Sequence, residues 1–376
     1  MSLFNVYPLF DITPVKAKDV YVYDENGVEY LDLYGGHAVI SIGHSHPKYV
    51  KNISDQVAKL GFYSNSIQNP LQVNLAEKLV QLSGCKDYEL FLCNSGAEAN
   101  ENALKLASFH NGKKKVIAFK NGFHGRTSAA VAATDNAKII APINAQQEVE
   151  LLDLGDLDAL EKALANNDVC AVIIECIQGV GGLDESTAEF YEGIDKLCKT
   201  YNTCFIADEV QSGFGRTGDF FAFQQYNVTP DIIAMAKGMG NGFPIGGILI
   251  HPNIKASFGL LGTTFGGNHL ACVASSTVLE VIESEQLLQN AKDISAYFIE
   301  KAQGISAIKH LKGRGLMLGL EFDFPIAELR KKLIFKHQIF TGSAKNPNLI
   351  RILPPLTIQK KHIDQLFEAL KTELET

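Results

Sequence analysis

Residues 232–250 read IIAMAKGMGNGFPIGGILI, nineteen positions with a single charge, Lys237. The length is close to that of a bilayer span. However, five glycines, Asn241, Pro244 and the lysine interrupt it, and these are residues that break or tax a spanning helix. The stretch reads instead as two short apolar segments, DIIAMA (231–236) and FPIGGILI (243–250), joined by a glycine-rich loop with the lysine at its entrance. An ammonium group is costly to bury as a free cation, so a lysine at the end of a buried strand calls for a chemical reason.

Similar apolar runs precede it. KKVIAF (114–119), VCAVIIE (169–175) and NTCFIADE (202–209) have the continuous Val/Ile/Phe character of strands buried on both faces. Helical patterns lie between them. ANENALKLASFH (99–110) sets Ala99, Ala103, Leu106, Ala107 and His110 on one face, and AEFYEGIDKLCKTY (188–201) does the same with Phe190, Ile194, Leu197 and Cys198. This alternation predicts an α/β domain around a mostly parallel sheet. The ends differ: DVYVYDENGVEYLDL (19–33) reads as a hairpin around Asn26-Gly27. After about residue 270 a long helix, a hairpin or strand at KGRGLMLGLEF and further helices follow. We expect a large domain over 45–255 and a smaller α+β domain assembled from 1–44 and 256–376.

The 376 residues are enough for such a pair of domains. A net charge of -8 argues against nucleic acid or an anionic membrane as the main partner. The seven cysteines form no CxxC pair and are odd in number, which reads as reduced thiols in a cytoplasmic protein, with neither a zinc site nor a disulfide framework. MSLFNVYPLF lacks the basic start and apolar run of a signal peptide.

In an open parallel sheet, ligands bind beyond the carboxyl ends of the strands. The polar residues after each apolar run are Asn121 to Arg126, Glu175 to Gly182, Asp208 to Gln211, and Lys237. Acid, lysine and arginine thus converge on one rim. CNSGAEANENALK (93–105) adds a helix start: Ser95 and Glu98 stand at capping-box spacing, and Gly96 relieves the entry turn. Free amides at such a start suit a phosphate. Neither GxxxxGK[ST] nor a GxGxxG after a strand is present, so nucleotide folds gain no support. A cofactor with a phosphate, an aldehyde and a ring nitrogen would use the helix start, the lysine and the acid together, and pyridoxal phosphate fits each part.

NSGAEANENALKLA, FHGRT, ECIQGVGG, ADEVQSGFGRTG, AKGMGNGFPIGG and GTTFGGN, taken together, resemble the class III (subgroup II) aminotransferases of pyridoxal-phosphate fold type I, especially the acetylornithine type. The likeness runs from LDLYGGHAVISIGHSHP to RILPPLTI. It implies a large domain with a seven-stranded sheet and an obligate homodimer with shared sites. It implies Lys237 as the Schiff-base lysine and proton shuttle, with Asp208 on the pyridinium nitrogen. Gln211 would lie near the phenolic oxygen, Phe123 and Val210 on the two ring faces, and Glu175 behind them. Gly96 and Ala97 would hold the phosphate, with Thr264 of the neighbouring subunit. Arg126 would grip the α-carboxylate of an N-acylornithine (or the side-chain carboxylate of glutamate), Arg351 the α-carboxylate of glutamate, and Thr263 would border the substrate. His124 would be structural. The implied reaction moves the terminal amino group of N-acetyl- or N-succinylornithine to 2-oxoglutarate, giving the semialdehyde and glutamate, in arginine biosynthesis. Ornithine or 4-aminobutyrate transamination is the alternative, and a non-catalytic cofactor-binding protein a remote one.

Three departures stand out. Val180 replaces the family's glutamate in QGEGG, which masks the arginine matching Arg351. Arg351 must then remain unpaired, find another acid, or meet a carboxylate on the donor. Cys176 replaces a proline after Glu175. His37 stands where an aliphatic residue is usual, and reads equally as a donor to substrate and as a structural histidine.

Overall fold

A computed structural model describes residues 3–374. Its centre is a seven-stranded sheet in the order Glu89–Cys93, Gly246–Ile250, Ile232–Met235, Cys204–Asp208, Val169–Ile174, Lys115–Phe119, Val149–Leu152. Gly246–Ile250 runs antiparallel to both neighbours, and the five strands from Ile232–Met235 outward are mutually parallel. The opening stretch is therefore two strands, 232–235 and 246–250, that pair with each other across the lysine loop. Among the described residues no helix is long and apolar enough to cross a membrane.

All six residues of Val169–Ile174 and all four of Ile232–Met235 are buried, as continuous apolar runs require. Each buried Val or Ile contributes about 1.5–3 kcal/mol from area removed from water. Helix Gly96–Asn111 packs across the sheet through Ala99, Asn100, Ala103, Leu104, Leu106 and Ala107. His110, placed on that face by helical spacing, is exposed instead, in the last turn before the left-handed cap at Gly112. Helix Ala188–Thr200 buries Phe190, Tyr191, Ile194, Asp195 and Cys198, while Leu197 is only partly covered.

The hairpin Tyr21–Asp24 with Glu29–Asp32 forms as read, pairing Val22 with Tyr30. Its outer edge is closed in parallel by Ile339–Phe340 from the far end of the chain. His310–Arg314 and Met317–Glu321 make a second hairpin, extended by Leu349–Ile352 and Gly342–Ser343. Helix His269–Ser284 packs on both Pro47–Lys59 and Pro70–Ser83.

Candidate active site

The carboxyl ends of the central strands meet at one rim. Asp208 ends its strand opposite Ala234 of the neighbouring strand, two residues before the lysine loop begins. Its carboxylate is 3% exposed and fully engaged. Oδ2 accepts from His124 Nδ1 at 2.7 Å and from Asn100 Nδ2 at 2.8 Å, and Oδ1 accepts from the Val210 amide at 3.1 Å. Burial works against a charged His124. The Asp208 hydrogen bond and the charges of Asp208 and Glu175 outweigh it, so its pKa lies above the ordinary histidine value. Glu175 accepts from the Phe123 amide at 2.9 Å and the Gly179 amide at 3.0 Å. Its pKa is pushed up by burial and then by the Asp208 charge.

Lys237 sits at φ +47, in the left-handed region that costs a residue with a side chain about 1 kcal/mol or more. The loop is over-determined by its neighbours. Asn241 Oδ1 accepts from the Ser41 and Ile42 amides, Asn241 Nδ2 donates to Gly43 O, and Ser41 Oγ donates to Gly238 O. Among the described residues the Lys237 amine has neither a hydrogen-bond nor an ion-pair partner. Burial lowers its pKa, against the opposing pull of Asp208 and Glu175 and with the help of Arg351. An unpartnered amine whose pKa is lowered is suited to act as a nucleophile and base.

At the start of helix Gly96–Asn111, Ser95 Oγ accepts from the Glu98 amide at 3.2 Å. Glu98 does not close a reciprocal box on Ser95. Its carboxylate reaches one residue further back, to the Asn94 amide at 2.7 Å. The first-turn amides of Gly96 and Ala97 keep no acceptor among the described residues. A Cβ on Gly96 would stand 2.6 Å from Val210 Cγ1, so only glycine lets the helix start come this close to the Asp208 strand. Free amides beside a lone amine and a compensated carboxylate suit a heterocyclic aldehyde phosphate.

The other wall carries Arg351, which is 4% exposed. Nε donates to Ser343 O at 2.6 Å, Nη1 to Gly179 O at 2.7 Å and more weakly to Gln211 Oε1 at 3.5 Å, and Nη2 to the Tyr34 hydroxyl at 3.1 Å. No carboxylate among the described residues pairs with it. Of the outcomes that Val180 left open, another acid is not the one found. Gly179, next to Val180, holds Arg351 through its backbone, and a Cβ there would collide with Gln211 Oε1 at 2.0 Å. Gln211 Nε2 also donates to His37 O at 3.3 Å.

The structure thus gathers Phe123, His124, Glu175, Asp208, Val210, Gln211, Lys237 and Arg351 around one rim, with Gly96 against Val210. Arg126 is exposed, with no ion pair among the described residues. Thr264 is exposed on the protomer, and Thr263 Oγ1 accepts from the Gly266 amide at 3.1 Å beside Asn94. Sequence reasoning passed over Asn100, Asn241 and Tyr34. Asn100, set by helical spacing on the face of Ala103, Leu104 and Ala107, was a readable signal. Tyr34 carried none, because the guanidinium it meets, that of Arg351, lies 317 residues away.

The class-III aminotransferase family model matches residues 5–374. Acetylornithine aminotransferase of Aquifex aeolicus is 40% identical over 98% of this chain and 98% of its own length, and that of Bacillus subtilis 39% over 98% and 97%. Among solved structures, ornithine aminotransferase of Toxoplasma gondii superposes with a TM-score of 0.91 at 28% identity, covering 98% of this chain and 93% of that one. Likeness of this extent, over a rim already equipped for a phosphate, an aldehyde and a protonated ring, leaves one assignment: the chain belongs to the class-III aminotransferases, transaminases that work with pyridoxal phosphate.

Proposed function

We propose that this transaminase moves the terminal amino group of an N-acylornithine to 2-oxoglutarate, giving the semialdehyde and glutamate, as a step of arginine biosynthesis. The observation that carries this reading is the full-length similarity to acetylornithine aminotransferases at 36–40% identity. Arg351, with its uncancelled charge, adds to it: it favours a dicarboxylate acceptor.

When bound, pyridoxal phosphate supplies an aldehyde to take the amino group and a ring that accepts the electrons released at the substrate carbon. The Gly96 and Ala97 amides would hold its phosphate, with Thr264 of a second protomer. Phe123 and Val210 would border its ring, Gln211 its phenolic oxygen, and Glu175 would steady them from behind. Asp208, held by hydrogen bonds from His124 and Asn100, would hold a proton on the ring nitrogen. The Lys237 amine, whose pKa burial lowers, would shuttle the proton between the substrate carbon that bears the terminal amino group and the carbon that carried the cofactor's aldehyde, and would run the same transfer in reverse in the acceptor half-reaction. Arg126 would bind the donor α-carboxylate, with Thr263 along the substrate, and Arg351 the α-carboxylate of glutamate.

Thr264, exposed on the protomer, agrees with a homodimer with shared sites. The parallel pairing of Ile339–Phe340 with Glu29–Asp32 supports a smaller domain built from 1–44 and 256–376 around a large one at 45–255. A cytoplasmic location agrees with seven free cysteines, all buried.

The test compares kcat/KM for N-acetylornithine, N-succinylornithine, ornithine and 4-aminobutyrate with 2-oxoglutarate as acceptor. An acylated ornithine should lead free ornithine by at least about tenfold, roughly 1.4 kcal/mol of discrimination. Equal or faster turnover of free ornithine overturns the reading.

A further inference from the structure

Every acceptor that Arg351 meets is neutral: two carbonyls, an amide oxygen and a phenol. Buried Arg216 likewise donates only to carbonyls, those of Leu316, Pro354 and Ile40, but Arg351 stands close enough to the lysine for its charge to act on Lys237. A buried guanidinium normally has an acidic partner. The residue that would supply one, next to Gly179, is Val180.

The hydrogens on this wall can be assigned by elimination. Arginine has no acceptor, so the Tyr34 oxygen must accept from Arg351 Nη2. The phenol proton then has His37 Nδ1, at 2.6 Å, as its one acceptor among the described residues; an Nδ1–H donated to the second phenol lone pair would leave that proton without a partner. His37 Nδ1 is then unprotonated and its hydrogen sits on Nε2. Burial, followed by the Arg351 and Lys237 charges, holds the His37 pKa below the ordinary value, in the same sense. Nε2 has no partner among the described residues, and the ring is exposed in the protomer.

The backbone beneath is costly. Gly35, Gly36, His37 and Ala38 lie at φ +54, +55, +69 and +63, a left-handed turn in which two residues carry side chains. It is fixed from outside. Asp32 Oδ1 accepts from the Tyr34 and Gly35 amides at 3.0 and 2.8 Å, and the His37 carbonyl accepts from Gln211. A histidine needed only for packing gains nothing from such a turn, whereas strain of this kind gathers where a side chain must be presented in one orientation.

We propose that Tyr34 and His37 form a neutral latch on Arg351. It aligns the guanidinium for the α-carboxylate of glutamate or 2-oxoglutarate without cancelling its charge, and sets His37 as an Nε2–H donor toward the same carboxylate. The proposal rests on Arg351 as the acceptor-side arginine and names the chain's substitute for an acid at position 180. Tyr34 and His37 are positioning and specificity residues for the dicarboxylate half-reaction. The N-acetylornithine half-reaction brings no second carboxylate to Arg351 and is spared.

The test is a calorimetric titration of the holoenzyme with glutarate, an unreactive dicarboxylate, together with the kinetics of both half-reactions. Tyr34→Phe keeps the ring against Gly342 and removes only the hydroxyl. It should raise the glutarate Kd and the 2-oxoglutarate KM by about tenfold, the worth of a hydrogen bond to a charged group, with KM for N-acetylornithine changed less than about twofold. His37→Gly, free of backbone strain, should weaken glutarate about three- to tenfold. His37→Asn, which accepts from Tyr34 through Oδ1 and tolerates the left-handed turn, should restore most of the affinity. Unchanged glutarate affinity in Tyr34→Phe overturns the latch, as does equal weakening of both half-reactions. Selective loss of glutarate supports it even in an enzyme that ignores N-acetylornithine, a result that would sink the proposed donor alone.

Discussion

Asp208 and Arg351 are two buried charges in the same site, 3% and 4% exposed, and the fold treats them in opposite ways. Asp208 is given a titratable partner, His124, whose pKa it raises, and a second donor, Asn100. Arg351 is given only neutral acceptors. The difference follows from what arrives. A cofactor ring stays through the cycle, so the charge that serves it can be compensated permanently. A substrate comes and goes with its own carboxylates, and an acid built in beside Arg351 would compete with each of them.

The largest break in this scheme is at the lysine between the two regions. Lys237→Ala leaves both charges in place and removes the amine that moves the proton. Turnover should fall by at least on the order of 10³-fold, the scale of a lost general base, while the protein still binds pyridoxal phosphate and melts near the wild-type temperature. Stopped-flow absorbance of the loaded variant with donor would check it, and turnover within tenfold of wild type would rule the role out.

The compensated side is broken by Asp208→Asn. Turnover should fall on the order of 10²-fold or more, and His124 loses the partner that raises its pKa. Linkage gives the sign for the cofactor-free protein. A histidine with a raised folded pKa adds stability that is fully present below its ordinary value of 6.5 and is lost as pH rises through the higher folded value. Glu175, held up by burial and by Asp208, also loses stability on ionising as pH rises. Both shifts shrink without the Asp208 charge. Melting temperatures of the variant between about pH 5.5 and 9 should therefore fall less steeply with pH than those of wild type; parallel slopes would show that the ion pair is not what the histidine senses.

The uncompensated side is tested by restoring an acid. Val180→Glu adds a carboxylate next to the carbonyl that already holds Arg351. The new side chain should partner the guanidinium and have to be displaced by 2-oxoglutarate. KM for 2-oxoglutarate should rise about three- to tenfold, roughly 1 kcal/mol for a partly exposed pair, and glutarate should bind correspondingly more weakly. A lower KM would mean that the neutral wall is not an adaptation for the acceptor.

The two regions also differ in how far the chain alone discloses them. The compensated one lies at the ends of continuous apolar strands, so period and strand polarity point straight to Asp208, Glu175 and Lys237, and only Asn100 is lost among small helix residues. The neutral one is assembled from residues 34–37, 179, 211, 343 and 351, which no local pattern joins. Val180 announces that an acid is missing. What replaces it depends on a left-handed turn at 35–38, and there His37 and Ala38 take a conformation that propensity assigns to glycine. His110 is the converse case: helical period puts it on the buried face, and its place in the last turn of the helix leaves it exposed.

The smallest predicted effect separates the helix cap from the phosphate cradle. Ser95 is exposed, and its hydroxyl satisfies the Glu98 amide, whereas the amides left over for an anion belong to Gly96 and Ala97. Ser95→Ala should therefore cost stability of about 1 kcal/mol, the usual worth of an N-cap, seen as a lower melting temperature of cofactor-free protein. Affinity for pyridoxal phosphate should weaken by no more than about fivefold, since RT ln 5 is about 1 kcal/mol and the backbone donors remain. If the cofactor is instead lost by a hundredfold or more with little change in melting temperature, the hydroxyl itself is a phosphate ligand, and the cradle extends one residue ahead of the helix.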